Sequence, residues 1–157
     1  MIGSVPASAQ AWVAALAAVG YFADQRMATA VHLAVTLQRP LLLEGAPGVG
    51  KTELAKAIAI VLGRDLVRLQ CYDGLDERDA LYEWNYAAQM LHARLRQETQ
   101  SAAEIERSLY SSEYLIERPL LKALQAPAPG AVLLIDELDR ADEPFEAFLL
   151  EYLGEFQ

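Results

Sequence analysis

Leu41-Leu42-Leu43-Glu44-Gly45-Ala46-Pro47-Gly48-Val49-Gly50-Lys51-Thr52 joins a short apolar run to a glycine-rich loop ending in Lys-Thr. From Gly45 to Thr52 the stretch fills G-x-x-x-x-G-K-[ST], the pattern of a phosphate-binding loop, without a mismatch. Glycines let the backbone curl at positive φ and bring successive N–H groups to one centre. Those donors, with the start of the following helix, suit the phosphates of a nucleotide. Lys51 is the candidate for the terminal phosphates and the Thr52 hydroxyl for Mg²⁺. The alternative is a glycine-rich strand-to-helix turn with a surface lysine. The strand-like run before it and the helix-like pattern after it favour phosphate.

The neighbouring segments supply that context. Leu41 to Glu44, between Pro40 and Gly45, reads as a short buried strand. Lys51 to Leu62 reads as a helix with Leu54, Ile58, Val61 and Leu62 on its core face, closed by Gly63. Leu66 to Gln70 reads as a second strand, so strand, helix and strand follow in the order of a parallel α/β sheet. Upstream, Trp12, Leu16 and Val19 recur at helical spacing from Ser8 to Val19, and Gly20 closes that helix. Asp24 is placed to cap a second helix with the stripe Met27, Val31 and Val35, ending before Pro40.

Downstream, Asp76 is placed to cap a helix from Glu77 to Arg96, with Leu81, Trp84, Ala88, Leu91 and Leu95 inward. Tyr82 and Tyr86 read as packing residues on it. Gln97 to Ser112 is polar and reads as a loop carrying a short helix near Ala103 to Leu109. Pro119 opens a helix through Gln125. Ala131 to Ile135 is an apolar pentapeptide bounded by Gly130 and Asp136, the pattern of a strand buried on both faces. Pro144 opens a final helix toward Phe156.

Bulk properties narrow the function classes. The chain has 157 residues, 54% of them hydrophobic, and a formal net charge of −9 from 22 acidic and 13 basic residues. That balance argues against a broad nucleic-acid surface, which needs a basic face. It does not touch nucleotide binding, which uses backbone dipoles and one lysine. The single cysteine, Cys71, excludes an internal disulfide and fits a reducing cytoplasm. Two separated histidines, His32 and His92, offer no zinc spacing and read as ordinary helix residues. The apolar run from Ala11 to Val19 lacks a basic flank and is too short to span a bilayer, so no membrane insertion is expected.

Asp136 and Glu137 follow the apolar pentapeptide, at the carboxyl edge where α/β sheets bind ligands. Asp136 is the candidate partner of the metal beside Thr52, and Glu137 the candidate base for an attacking water. A strand end with solvated acids is the alternative for such a pair alone. Asp139, Asp142 and Glu143 read as a solvated loop and the cap of the last helix. Arg94 and Arg96 read as solvated helix residues.

Gly45 to Thr52 together with Val132 to Glu137 resembles the AAA+ ATPases. The phrases Arg39 to Gly45, Leu69 to Asp76, Ala80 to Tyr86, Glu117 to Leu121 and Asp136-Glu137-Leu138-Asp139-Arg140-Ala141 resemble the MoxR branch. Within it they are most similar to the CoxD type, linked to maturation of molybdenum-containing carbon monoxide dehydrogenase. The resemblance implies a three-layer P-loop NTPase core with a parallel sheet. ATP would be held by Gly45, Ala46, Pro47, Gly48, Val49, Gly50, Lys51, Thr52 and Glu53, with Lys51 at the terminal phosphates. Mg²⁺ would lie at Thr52 and Asp136, and Glu137 would activate water. Tyr21 to Asp24 would lie near adenine. The family implies a homo-oligomeric ring, a hexamer, working on a client enzyme with a von Willebrand factor A domain partner.

Residues 1–38 are then leading helices and 39–157 the core from Walker A to Walker B. The expectation is the N-terminal part of one AAA+ domain, incomplete at its C-terminus. Its sensor strand, arginine finger and helical lid would lie beyond Gln157. In the family's sheet that sensor strand lies between the Walker A and Walker B strands, so unpaired strand edges are expected. Two other function classes stay open: an ATP-binding interaction module without turnover, and a small-metabolite P-loop kinase.

Overall fold

Local caps and apolar stripes build the first layer. In the computed structural model, which describes residues 3–96 and 102–154, helix α1 spans Ala9–Ala18 and α2 spans Gln25–Leu37. Ser8 Oγ accepts from the Ala11 N–H, and Asp24 Oδ1 accepts from Met27 N–H at 2.7 Å. Each cap satisfies a donor that the first helical turn leaves open. Helix α2 ends at Gln38 in the left-handed conformation, two residues before Pro40. Trp12, Leu16, Ala28 and Val31 are fully buried between these helices and α3, Lys51–Leu62. Gly63 closes α3 at φ 62°.

Strand β1, Leu66–Gln70, pairs in parallel with β4, Val132–Asp136, with Leu66 opposite Val132 and Gln70 opposite Asp136. The side chains of β4 alternate between two cores. Val132 packs on the α1–α3 cluster with Leu54, Val61 and Leu62. Leu133 and Ile135 pack on a second cluster built from Leu69, Cys71, Leu75, Ala80, Leu120, Phe145 and Leu149. That cluster draws on α4 (Glu77–Leu81), α7 (Pro119–Gln125) and α8 (Glu143–Gly154). The sheet is therefore a thin layer between two helical layers.

Several expectations are corrected. Leu41 to Glu44 forms no strand. Leu41 and Leu43 pack on the first core while Leu42 is exposed, so side chains alternate without a ladder. A strand needs a hydrogen-bonded neighbour, and among the described residues none runs beside it; β1 and β4 pair with each other. For the same reason β4 is half-buried along its whole length, where burial on both faces was expected.

The helix expected from Glu77 to Arg96 breaks in two. Strand β2, Tyr82–Trp84, pairs antiparallel with β3, Leu115–Glu117, and α5 runs Tyr86–Arg96. Asn85 restarts the helix, its Oδ1 accepting from Ala88 N–H at 3.0 Å. The break resets the helical phase. Leu91 and Leu95, expected inward, are exposed, as is Tyr86, and Gln89 is buried instead. The Gln89 side-chain amide donates to the Leu109 carbonyl at 2.5 Å, tying α5 to α6, Ala102–Leu109. His92, read as an ordinary helix residue, lies between Tyr114 OH at 2.5 Å and Ser108 Oγ at 3.2 Å. Arg94 and Arg96 are exposed as expected. The expected loop at 97–101 and the chain's end at 155–157 lie outside the described residues.

Candidate functional site

The loop from Gly45 to Gly50 is exposed except at Gly50. Gly45, Gly48 and Gly50 hold φ of 154°, 80° and 92°, values that a side chain would strain. Gly50 is the N-cap of α3 and supplies no side-chain cap, so the first N–H groups of this helix are open donors. Across the helix start, the Tyr21 ring lies against Gly50: a Cβ there would meet Tyr21 Cε2 at 3.7 Å. Tyr21, expected near the base of a nucleotide, is thus beside the loop's end.

Lys51 Nζ donates to the carbonyls of Gly45 at 2.5 Å and Ala46 at 2.9 Å. The ammonium therefore sits inside the curl of the loop. The Glu53 carboxylate is paired with Lys56 Nζ at 2.6 Å on an exposed surface.

Thr52, on the first turn of α3, and Asp136, the last residue of β4, are 84 positions apart in sequence. The Thr52 hydroxyl donates to Asp136 Oδ2 at 3.3 Å. Asp136 Oδ1 accepts from the Glu137 N–H at 3.2 Å. Glu137 itself sits at φ 55° and ψ 44°, a left-handed turn unusual for a non-glycine residue. Its Oε2 is paired with Arg140 Nε at 2.9 Å, with both side chains about half exposed.

One group that sequence reasoning missed is Arg68. Its guanidinium donates to Asp136 Oδ2 at 2.8 Å and also to Gln70 Oε1. The available signal was a charged residue in the middle of Leu-Val-Arg-Leu-Gln, on the strand face opposite the buried Leu69. Cys71, the residue after β1, is 1% exposed, and its N–H donates to the Asp136 carbonyl at 2.9 Å. Burial pushes the Cys71 thiol pKa up, and the charges of Asp136, Asp139 and Glu137 push the same way.

The residues present fit a nucleotide with Mg²⁺. Open helical N–H donors and an ammonium inside a glycine curl suit phosphate. Among the described residues no group of three or more His, Cys, Asp or Glu could hold a metal by itself. A hydroxyl beside one carboxylate suits the ion that keeps waters and takes its other ligands from phosphate, which is Mg²⁺. Among the described residues no helix is long and apolar enough to cross a membrane.

Over 48 residues the chain is 50% identical to Midasin from Giardia intestinalis, covering 31% of this chain and 1% of that protein. The chain thus spans a very small part of that relative's length. No solved structure matches it. Residues 40–155 match the family model of the AAA domain (dynein-related subfamily). With its α/β layers, parallel strands and glycine loop, the chain belongs to that AAA family and has the fold of a P-loop NTPase.

Proposed function

We propose that Gly45 to Thr52 binds ATP, that Thr52 and Asp136 hold its Mg²⁺, and that Glu137 is the base for hydrolysis. Membership of an ATPase family supports nucleotide binding in general; the residue roles rest on geometry. The observation that carries them is the Thr52–Asp136 contact, which joins the two ends of the motif pair across the sheet edge.

The chain's own groups divide the work. The open N–H groups at the start of α3 and the loop glycines orient the phosphates. Lys51 exchanges its two carbonyl partners for terminal phosphate oxygens, a charge-assisted contact stronger than the ones it leaves. The Thr52 hydroxyl donates its proton to Asp136 and keeps oxygen lone pairs for a cation. Bound Mg²⁺ would supply neutralisation of the charge on the β- and γ-phosphate oxygens. Glu137 takes the proton of the attacking water as the γ-phosphate passes to it and ADP leaves.

A second reading, a nucleotide-binding module without turnover, draws on the Glu137–Arg140 pair, which occupies the base. The size of that interaction gives it little support. A pair this exposed contributes at most about 1 kcal/mol, too little to keep Glu137 from water. In the wider setting the reading extends to a ring of such domains, a hexamer, of the MoxR branch and CoxD type. That ring would remodel or mature a client enzyme together with a von Willebrand factor A domain protein in the cytoplasm. Residues 1–38 serve as leading helices and 39–157 as the nucleotide-binding part.

Equilibrium binding of a fluorescent ATP analogue and Mg-dependent phosphate release, both on the full chain, test the roles. Lys51→Ala is expected to weaken binding by about tenfold or more, the worth of a charge-assisted bond. Glu137→Gln keeps binding and lowers turnover by about a hundredfold or more. Turnover unchanged in Glu137→Gln removes that residue from catalysis. Binding without release in the wild type, at any protein concentration, selects the module reading.

A further inference from the structure

Asp136 Oδ2 carries two donors, Thr52 Oγ1 at 3.3 Å and Arg68 Nη2 at 2.8 Å. Because both converge on one oxygen, the guanidinium and the hydroxyl are near neighbours. The Asp136 side chain is 20% exposed and that of Arg68 52% exposed, so the carboxylate is the more enclosed partner. An enclosed carboxylate at a strand end needs a positive partner, and Arg68 provides it.

The placement follows from the register. Gln70 is opposite Asp136, and Arg68 is two residues back on the same face of β1. Arg68 is therefore diagonal to the carboxylate and must lean along the strand to meet it. Gln70 Oε1 accepts from the same guanidinium nitrogen and fixes that lean. Neither residue contributes to the second core, which takes Leu69 from this strand and Cys71 from just past its end.

We propose that Arg68 is a tethered cation that stands in for the metal charge at Asp136, so that Mg²⁺ loads against it. This rests on the nucleotide–Mg²⁺ reading of the site. A divalent ion held by Thr52 and Asp136 would lie close to the Arg68 charge, and like charges that close repel even in a wet site. Loading the metal then requires Arg68 to leave Asp136 for Gln70 or solvent, a move its exposed side chain permits. Arg68 is a positioning residue: it acts on the metal through Asp136.

The test is a titration of MgCl₂ at fixed mant-ADP on the full chain, read as nucleotide fluorescence, in wild type, Arg68→Gln and Arg68→Lys. Arg68→Gln removes the charge at a half-exposed position and keeps a polar side chain. The half-saturating Mg²⁺ concentration is expected to fall by about fivefold in Arg68→Gln. In Arg68→Lys, which keeps the charge, it stays within about twofold of wild type. A general loss of structure would raise the Mg²⁺ requirement in both variants, the opposite direction. An unchanged or raised requirement in Arg68→Gln, with mant-ADP still bound, overturns the role of Arg68 alone. Failure of the wild type to bind mant-ADP at any Mg²⁺ concentration overturns the nucleotide reading and this inference with it.

Discussion

At the scale of single residues, the sheet edge concentrates negative charge against a buried thiol. Cys71 is 1% exposed, and burial, followed by the charges of Asp136, Asp139 and Glu137, raises its pKa. The folded state therefore favours the neutral thiol, and the unfolded chain releases its proton first. Stability from this group is complete below the unfolded value, about pH 8.5, and is lost as pH rises toward the folded value. Urea midpoints at pH 7 to 10 should fall more steeply for wild type than for Cys71→Ala from about pH 8.5 upward. Parallel curves for the two proteins would show that the thiol's environment is not felt in stability. The same edge shows what residue patterns reveal. Thr52 and Asp136 were legible because their motifs fix residue type and spacing. Arg68 was not, since its partner is 68 positions away and only the β1–β4 register brings them together.

Elements differ in how far their causes are local. Helix α2 begins where Asp24 meets Met27 N–H, three residues on, and its stripe at Met27, Val31 and Val35 faces the first core. Both signals lie within a few residues, so cap and face could be read directly from the chain. Asp24→Ala should lower unfolding free energy by about 1 kcal/mol, the usual loss of an aspartate cap. Urea unfolding with an unchanged m-value measures it; no change would mean that water replaces the carboxylate at no cost. Strands answer to partners instead. Leu41 to Glu44 has strand composition and alternating burial but no ladder, and Tyr82–Trp84 leaves a helical pattern because Leu115–Glu117 pairs with it. Helical periodicity past Trp84 then pointed to Leu91 and Leu95, while the restarted helix buries Gln89. Such outcomes are decided across tens of residues, where neither propensity nor periodicity carries information.

For the whole molecule, the parallel β1–β4 sheet divides two cores, and only the first of them supports the glycine loop. Leu54 is fully buried in the first core, one turn after Lys51 and Thr52 on α3. Leu120 is fully buried in the second core, on α7 across the sheet. Truncating either to alanine should cost about 2–5 kcal/mol, the transfer term plus the cavity. Their effects on the site should differ. A cavity under the first turn of α3 lets the helix start shift, and its open N–H groups shift with it. A cavity at Leu120 is buffered by β1 and β4, whose parallel ladder holds Asp136 from the other side. Leu54→Ala is therefore expected to weaken mant-ADP binding per folded molecule, and Leu120→Ala to leave it within about twofold, the range of distant, independent sites. Equal weakening by both would mean that the sheet passes packing defects from one core to the other, because a layer two strands wide is too thin to isolate them.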